Sequence, residues 1–402
     1  MTRRAIFLFV ALASALGAAE PHVPGRLLAG RREALDADLE ARTWRAHRAV
    51  ERRHLPGLGI HVLDVPEESL DAIRQSLTAT GLFDYVEPDY YAQQGESTPN
   101  DSFYSSQWHL PKIGSAVAWT RTTGSPGVVI AVVDSGVYAA HPDLVGKLVP
   151  GWNFVKNNAD TSDVTGHGTE VAGTVAAATN NGIGVAGVSW ASVVMPLVTV
   201  DATSFSAYSN VAAAIQYAAD HNVRVINVSI GGTASSNALQ AAVNYAWNRG
   251  SLVFAAAMNN GGTTPNYPAA CDHAVAVSAT DENDKLAVFS NYGTWLTLSA
   301  PGADILTTMN GGGYGYVNGT SFASPIAAGV AALVLAANPT LTNQQVLDIL
   351  KQSADHPGQP GFDSNYGWGR VNAGKAIQLA APPIPAVRRR AGELTTDHPV
   401  KR

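Results

Sequence analysis

Three side chains that can perform nucleophilic chemistry together are spread over almost half of the chain. Asp134 ends a continuous apolar run, His167 opens a segment of small residues, and Ser321 follows a glycine-rich loop. In that chain order they supply an orienting carboxylate, a general base and a nucleophile. Taken alone, Ser321 is equally well explained as a helix N-cap, because serine is a favoured cap residue.

The segments around these residues indicate how they are held. Residues 128–133 form an apolar run typical of a buried parallel strand, and open α/β sheets bind ligands at the carboxyl ends of such strands. Residues 326–335 are apolar on every side, which predicts a helix in the middle of a domain. The start of that helix would offer unpaired backbone N–H groups and the positive end of a dipole, which stabilise a developing anion.

Three motifs resemble the signatures of the subtilisin-like serine proteases, the peptidase S8 family. They are Asp134-Ser135-Gly136, His167-Gly168-Thr169-x-Val171-Ala172-Gly173 and Gly319-Thr320-Ser321-x-Ala323-x-Pro325. Shorter matches occur at residues 141–144, 227–232, 289–293 and 300–302. The resemblance covers residues 100–379, and the start of this region, residues 100–108, is similar to the thermitase-like members of the family. It implies a serine endopeptidase that hydrolyses polypeptides through an acyl-enzyme, with Asp134, His167 and Ser321 as its catalytic triad.

The remainder of this region alternates between apolar strands and helices. Such alternation predicts an α/β domain, here residues 97–381, with a mostly parallel sheet covered by helices on both faces. Strands are predicted at 128–134, 193–200, 223–229, 252–257, 274–279 and 295–298, and helices at 166–178, 206–222, 237–249, 321–338 and 342–353. The resemblance implies the subtilisin-like form of this fold.

Residues 20–96 form a separate block in which short strands and helices alternate, as in a small α+β domain. Strands are predicted at 26–29, 58–65 and 82–86, and helices at 33–53 and 67–80. The resemblance implies a ferredoxin-like prodomain of the inhibitor I9 type, which inhibits its own chain until a self-processing zymogen cuts within 95–99. The alternative is an unrelated N-terminal domain.

The two ends of the chain differ in composition from the rest. Residues 1–19 combine Arg3 and Arg4 with a short apolar stretch and small residues, which predicts a signal peptide and a secreted, extracellular or periplasmic protein. The apolar stretch is too short for a stable membrane span, and the general secretory and twin-arginine routes both stay open. Residues 382–402 are proline-rich and basic, which predicts a disordered tail.

Overall composition excludes some classes of function. Hydrophobic residues make up 46% of the chain and charged residues 14%, which is typical of a globular protein, and we expect a monomer. The net charge of −6 argues against a nucleic-acid partner.

The single cysteine, Cys271, excludes an intrachain disulfide. Its neighbours Asp272 and His273 suggest a thiol catalyst, but a complete serine set elsewhere favours a packing role.

The resemblance also assigns an oxyanion hole and exposes one departure from the family. The hole would consist of the Ser321 backbone N–H and the side chain of Asn259. Met258 stands where the family has a glycine in the wall of the specificity pocket, and glycine tolerates backbone angles that methionine does not. Met258 would therefore narrow the pocket or tilt Asn259 away from the oxyanion. We expect a working protease with an altered pocket; the alternative is a catalytically impaired binding protein of the same fold.

Two segments match the edges along which the family binds its substrate. Ser229, Ile230 and Gly231 match one edge, where a peptide would add as an antiparallel strand. The other edge aligns near Phe205, whose alternative role is to anchor a loop.

A calcium site is the one cofactor that the resemblance implies. Two carboxylates and a loop match the family's strong calcium site, with the ligands Asp101, Asp143, Thr179, Asn181, Ile183 and Val185. Carboxylates, an asparagine oxygen and loop carbonyls are the hard oxygen ligands that Ca²⁺ prefers. The alternative is an Asn-Gly turn beside surface acids.

Overall fold

The computed structural model describes residues 22–30, 36–90 and 97–380. It separates into two compact units, whose boundary in the chain lies between Gln94 and Gly95. The predicted signal peptide at 1–19 and the predicted tail at 382–402 lie outside the described residues.

The N-terminal unit is a four-stranded antiparallel sheet with two helices. Its elements are β1 (His22–Gly30), α1 (Ala37–Ala46), β2 (Val50–Leu55), β3 (Ile60–Asp64), α2 (Leu70–Ala79) and β4 (Tyr85–Tyr90). The strands lie in the order β2-β3-β1-β4, and each neighbouring pair is antiparallel. This βαββαβ arrangement confirms the predicted ferredoxin-like fold. Its core includes Leu27, Leu63 and Leu77, all fully buried.

Two element boundaries predicted in this unit are wrong. The helix predicted at 33–53 ends at Ala46, because Arg48 takes a left-handed φ of 55° and the chain turns back into β2. Charged residues such as those of β2 are equally compatible with a solvated helix face, and pairing with β3 makes them a strand. The strand predicted at 82–86 begins later, at Tyr85, and continues to Tyr90.

The second unit contains the longer run of alternating elements. Its strands are β5 (Val129–Asp134), β6 (Trp152–Asn153), β7 (Val193–Val198), β8 (Val225–Val228), β9 (Leu252–Ala256), β10 (Ala274–Thr280), β11 (Leu298–Pro301), β12 (Ile305–Thr308) and β13 (Tyr314–Val317). Its helices are α3 (His109–Lys112), α4 (Ser115–Trp119), α5 (His167–Ala176), α6 (Tyr208–Asp220), α7 (Asn237–Asn248), α8 (Thr320–Ala337), α9 (Asn343–Ser353) and α10 (Ala373–Ala380).

Seven of these strands form one parallel sheet in the order β11-β10-β9-β8-β5-β7-β6, which confirms the predicted fold class. The strand order reverses at β5, which pairs with β7 on one side and β8 on the other. The carboxyl ends of strands at such a reversal form a natural binding crevice. The strand predicted at 295–298 is misplaced by three residues, since β11 begins only at Leu298.

Both faces of this sheet are covered. Along β5, Ile130 and Val132 pack into the core shared with α5 and α8, whereas Ala131 and Val133 pack into the core shared with α6 and α7. Because both faces of β5 are buried, its sequence is a continuous apolar run rather than an alternation of apolar and polar residues.

Helix α8 is the most buried helix of the second unit. Every residue from Thr320 to Leu335 is buried, and Pro325 lies inside the helix. Pro325 has no N–H to donate to the carbonyl of Ser321, four residues earlier, and that carbonyl accepts from the Ser229 hydroxyl at 2.8 Å instead. Within the described ranges, α8 alone has the length and apolar composition of a membrane span, and 89% of it is buried inside the protein. Its burial places the start of the helix, and with it Ser321, at the edge of the core.

Candidate active site

Asp134 and His167 form a close pair at the carboxyl end of β5. Asp134 is the last residue of that strand and is 1% exposed. The Nδ1 atom of His167, the first residue of α5, lies 2.8 and 2.9 Å from the two carboxylate oxygens of Asp134. The Ser135 N–H donates to the same carboxylate at 2.7 Å. These contacts fix the imidazole with Nδ1 protonated and leave Nε2 free to accept a proton.

Asp163 ties the loop before α5 to the end of β5. One of its oxygens accepts from the Ser135 hydroxyl at 2.7 Å and from the Gly166 N–H at 2.8 Å. The other accepts from the Thr169 N–H at 2.9 Å and from the Thr169 hydroxyl. Asp163 therefore holds the end of β5, which carries Asp134, beside the start of α5, which carries His167. Sequence reasoning missed this residue, and its position four residues before His167 is the only signal that could have found it.

Ser321 lies in the first turn of α8 and is 7% exposed. Its hydroxyl donates to the Ser229 carbonyl at 3.3 Å, and the Ser229 hydroxyl donates to the Ser321 carbonyl at 2.8 Å. The ring of Phe322 lies 5.7 Å from the His167 ring, so the start of α8 adjoins the imidazole. Among the hydrogen bonds of the described residues, none joins His167 to Ser321.

The Asn259 side-chain amide and the Ser321 backbone nitrogen border one small space. The Thr320 N–H donates to Asn259 Oδ1 at 2.9 Å, which orients the amide and leaves Nδ2 as a donor. A Cβ atom added to Gly319 would lie 3.3 Å from Asn259 Nδ2 and 3.5 Å from the Ser321 nitrogen. A side chain at Gly319 would fill this space, so glycine is required to keep it open.

Met258 adopts the conformation that glycine favours without displacing its neighbour. Its φ is +74°, in the left-handed region. Its N–H donates to the Thr320 hydroxyl at 2.9 Å, and Asn259 keeps its contact with the same residue. The Met258 sulfur lies 3.3 Å from where a Cβ of Gly231 would stand. The side chain thus occupies the pocket beside Gly231.

A cleft of about 590 Å³ borders Asp134, His167 and Met258, whereas Ser321 and Asn259 lie outside its lining. Its lining residues are Asp134, Thr165, His167, Glu170, Val200, Ser204, Phe205, Ser206, Tyr208, Val211, Ser229, Ile230, Gly231, Leu239, Met258, Tyr267 and Pro268. The structure therefore brings together both segments predicted to contact a peptide. Phe205 is 75% exposed at the rim, beside Ser204, whose φ is +65°.

Comparison with known proteins places this site in a family. Residues 125–369 match the model of the subtilase family, peptidase S8. The chain belongs to the subtilase family. A thermophilic serine proteinase of Bacillus sp. (strain AK1) is 42% identical over 310 residues, which are 77% of this chain and 76% of the relative. Thermitase of Thermoactinomyces vulgaris is 43% identical over 282 residues, 70% of this chain and 99% of the relative.

Solved structures agree with this assignment. A protease from Pseudoalteromonas arctica superimposes with a TM-score of 0.66 at 34% identity, covering 71% of this chain and all of that one. A lanthipeptide protease superimposes with a TM-score of 0.65 at 27% identity, covering 71% of this chain and 99% of that one. This subtilase is a serine endopeptidase, a hydrolase that acts on polypeptides.

The charges around His167 raise its pKa. Burial of the imidazole acts in the opposite direction, but the charge and hydrogen bond of Asp134 outweigh it, with help from Glu170 and Asp163. The pKa of His167 therefore lies above the usual 6.5. Burial, together with repulsion from Asp163 and Asp134, raises the pKa of Glu170, although His167 lowers it. Sequence reasoning missed Glu170, which lies one turn after His167 on α5 and lines the cleft.

Two buried acids lie together on the loops around Asp101 and Asp143. Asp101 accepts from the N–H groups of Asn180 and Asn181 at 2.8 and 3.2 Å. Asp143 accepts from the Asn181 side-chain amide and from the Val185 N–H, both at 2.9 Å. Burial raises the pKa of the Asp101 carboxyl, and the charge of Asp143 raises it further. Among the described residues neither carboxylate forms a salt bridge.

The other residues predicted for the cation site lie on the same loop. The Ile183 N–H donates to Asn181 Oδ1 at 3.0 Å. The Thr179 hydroxyl accepts from the Gly187 N–H at 2.9 Å and closes the base of the loop. The structure thus brings all six predicted residues to one place. It also brings Tyr314 to the same place, where its hydroxyl forms a hydrogen bond with Asp143. Burial raises the pKa of the Tyr314 phenol, and the negative charge of Asp143 raises it further.

Cys271 lies apart from these groups. It is buried in the core between the sheet and helices α6 and α7. Burial, aided by the charge of Asp272, raises the pKa of the thiol to about 11. A thiol with such a pKa stays protonated near neutral pH, which suits a packing residue rather than a nucleophile.

The raised pKa of His167 makes the pH profile a test of Glu170. With His167 as the expected general base, active in its neutral form, we expect kcat/KM on a peptide to fall as pH drops, with a midpoint above 6.5. Glu170→Gln removes a negative charge that stabilises the imidazolium, and the acid limb should move to lower pH. Glu282→Gln, an exposed glutamate outside the cleft, should leave the limb in place. An unchanged or upward-shifted limb in Glu170→Gln contradicts this account.

Proposed function

We propose that this subtilase is a secreted endopeptidase that uses Asp134, His167 and Ser321 as its triad and is made as a self-processing zymogen. The observation that carries the proposal is the open space beside Gly319, where an added Cβ would lie 3.3 Å from Asn259 Nδ2 and 3.5 Å from the Ser321 backbone nitrogen. Two convergent donors beside a serine hydroxyl are what a tetrahedral oxyanion requires.

The proposed reaction begins with a rotation of the Ser321 side chain. Its hydroxyl leaves the Ser229 carbonyl and donates to His167 Nε2 as the substrate binds, a change typical of sites that tighten only in the substrate complex. The oxygen then attacks the peptide carbonyl carbon while His167 takes the proton. Asp134 holds the other nitrogen and stabilises the imidazolium. The carbonyl oxygen, now negative, occupies the space between Asn259 and Ser321.

Collapse of this intermediate breaks the C–N bond, and the leaving amine takes the proton from His167. Water then attacks the acyl-serine with His167 as base, which releases the acid and restores the hydroxyl. The backbone of Ser229, Ile230 and Gly231, which line the cleft, would hold the peptide as an added strand, with Phe205 at the opposite rim. The alternative of an impaired binding protein is disfavoured because Asn259 keeps its contacts with Thr320 despite Met258.

We also propose how the rest of the chain serves the enzyme. Residues 1–19 direct export, residues 20–96 fold as a prodomain that inhibits the same chain, and residues 97–381 form a monomeric catalytic domain. The ferredoxin-like topology of the first unit supports the prodomain role. The basic residues 382–402 are proposed to be a disordered tail.

Replacement of Ser321 tests both activity and self-processing. Ser321→Ala should lower kcat by about 10⁶, the scale that loss of the nucleophile produces in subtilisin, and purified precursor should stay uncut within 95–99. Asn259→Ala, which removes one oxyanion donor, should cost about 10²–10³. Ser235→Ala, an exposed serine, should match the unmodified chain. Hydrolysis is measured with a chromogenic peptide and processing by intact mass. Processing by the Ser321→Ala chain itself would overturn the proposal.

Met258 should set the preference for the residue before the cut. Its side chain fills space beside Gly231, so Met258→Gly should open the pocket and shift preference toward larger side chains at that position. Met258→Leu keeps the bulk and serves as the control. Cleavage of a peptide library by the three proteins provides the comparison, and identical profiles for all three would refute a role in specificity.

We propose that the cluster of buried acids and loop oxygens holds structural Ca²⁺. Asp101 and Asp143 supply the charge, and the loop that carries Thr179, Asn181, Ile183 and Val185 supplies further oxygens. Two buried carboxylates that lack a cationic side chain fit a hard divalent cation, which would neutralise their repulsion. When bound, the ion would hold the loop after α5 without entering the reaction.

Removal of calcium should therefore lower stability. At a free concentration one hundred times Kd, a ligand specific to the folded state contributes about 2.7 kcal/mol. A chelator should lower the melting temperature of the Ser321→Ala chain, which cannot digest itself. Asp143→Asn should start lower and respond less, while Asp272→Asn, at an exposed acid, should respond fully. A melting temperature that the chelator leaves unmoved would rule out the site.

A further inference from the structure

Three side chains of the metal-ligand type converge on β2 and β3 of the N-terminal unit. Glu51, His54 and His61 each offer one ligand atom, and these atoms all lie within 4.8 Å of one another. The His54 and His61 rings stack with their centroids 4.2 Å apart and 5° between their planes. His61 Nδ1 lies 2.6 Å from Glu51 Oε1.

A β-bulge creates this arrangement. In a regular strand, residues 51 and 54 would point to opposite faces, because side chains alternate. Here Glu51 pairs with Leu63 and His54 pairs with His61, and the extra residue between the pairs is Arg52. Leu63 and His61 lie two residues apart and so share one face of the sheet, and the bulge turns Glu51 and His54, at the exposed edge strand β2, toward that same face. Bulges of this kind often re-aim side chains next to functional sites.

One further carboxylate lies beside the buried member of the set. His61 is fully buried, and its ring lies 5.4 Å from that of Trp44 on α1. A second carboxylate oxygen, Oε1 of Glu40 on the same helix, lies 3.6 Å from His61 Nε2. Two elements thus bring carboxylates to the two nitrogens of one imidazole.

We propose that Glu51, His54 and His61 bind a zinc ion. Two imidazole nitrogens and one carboxylate oxygen form a ligand set that zinc takes in proteins, with water in the fourth position. Ligand distances of about 2.0–2.2 Å in a tetrahedron place ligand atoms about 3.3–3.6 Å apart. A metal ion lies in the plane of each imidazole that binds it, so the exposed His54 ring would turn out of its parallel stack on the buried His61, and the exposed Glu51 carboxylate would turn with it. Their exposure also gives the ion a path from solvent.

The chemistry of this set separates it from the acids near Asp101. Calcium prefers oxygen ligands alone, whereas imidazole nitrogen favours zinc and its neighbours among the transition metals. The bulge exists only in the folded unit, so zinc binding should stabilise that unit by mass action. The inference does not depend on the catalytic triad.

The test uses the full-length Ser321→Ala chain with excess Ca²⁺ to saturate oxygen sites. Zn²⁺ alone is titrated by calorimetry at pH 7.5, and thermal unfolding is followed with and without it. The ligand variants are His54→Ala and Glu51→Gln, both at exposed positions that the fold tolerates. The matched controls are His356→Ala, an exposed histidine of the second unit, and Glu68→Gln, an exposed glutamate of the first.

We expect one zinc per chain in the parent and in both controls. Loss of outer-shell partners costs metal sites about 10–100-fold in affinity, so loss of a ligand should weaken binding at least tenfold in each ligand variant. The zinc-dependent rise in melting temperature should disappear with it. His167→Ala in the same background should bind as the parent does, which separates this site from the catalytic imidazole. Absence of binding, or binding that survives both His54→Ala and Glu51→Gln, would overturn the proposal.

Discussion

The catalytic half of this molecule depends on a carboxylate that is removed from water. Asp134 is almost fully buried at the end of β5, and a buried charge is costly unless it is paired and hydrogen-bonded. His167 and the Ser135 N–H both form hydrogen bonds to the Asp134 carboxylate. Asp163 bonds to the Ser135 hydroxyl and to the loop before α5, and so holds the end of β5 beside the start of α5. The same contacts that stabilise the carboxylate orient the imidazole and raise its pKa. Structure and reactivity at this edge therefore have one physical cause.

The position of Ser321 depends on packing rather than on charge. Helix α8 is buried through most of its length, so its first turn is held in place by the core on one face of the sheet. That turn exposes the N–H of Ser321 beside the side chain of Asn259, which Thr320 orients. Gly319 leaves the space between them open. The buried, apolar helix α8 thus offers polar groups to the candidate active site only in its first turn.

Much of the fold was predictable from local pattern. The apolar run of β5 and the all-apolar α8 follow directly from burial on both sides, and the small residues after His167 indicated α5 correctly. Prediction failed where pairing with a neighbouring strand, rather than the local pattern, decides the element. The charged residues 50–53 became β2 through pairing with β3, and the strand expected at 295–298 formed three residues later, because strand boundaries follow hydrogen-bond register with a neighbour.

For the site, the residue types and their order in the chain were determined by the sequence alone, because short motifs carry their own backbone requirements. Asp134, His167 and Ser321 could be selected in this way. Only the tertiary structure decided which distant groups act on them. Glu170 reaches the cleft and Asp163 joins two elements through contacts that no local pattern encodes. Such contacts depend on how strands and helices pack, and packing is a property of the whole chain rather than of any segment.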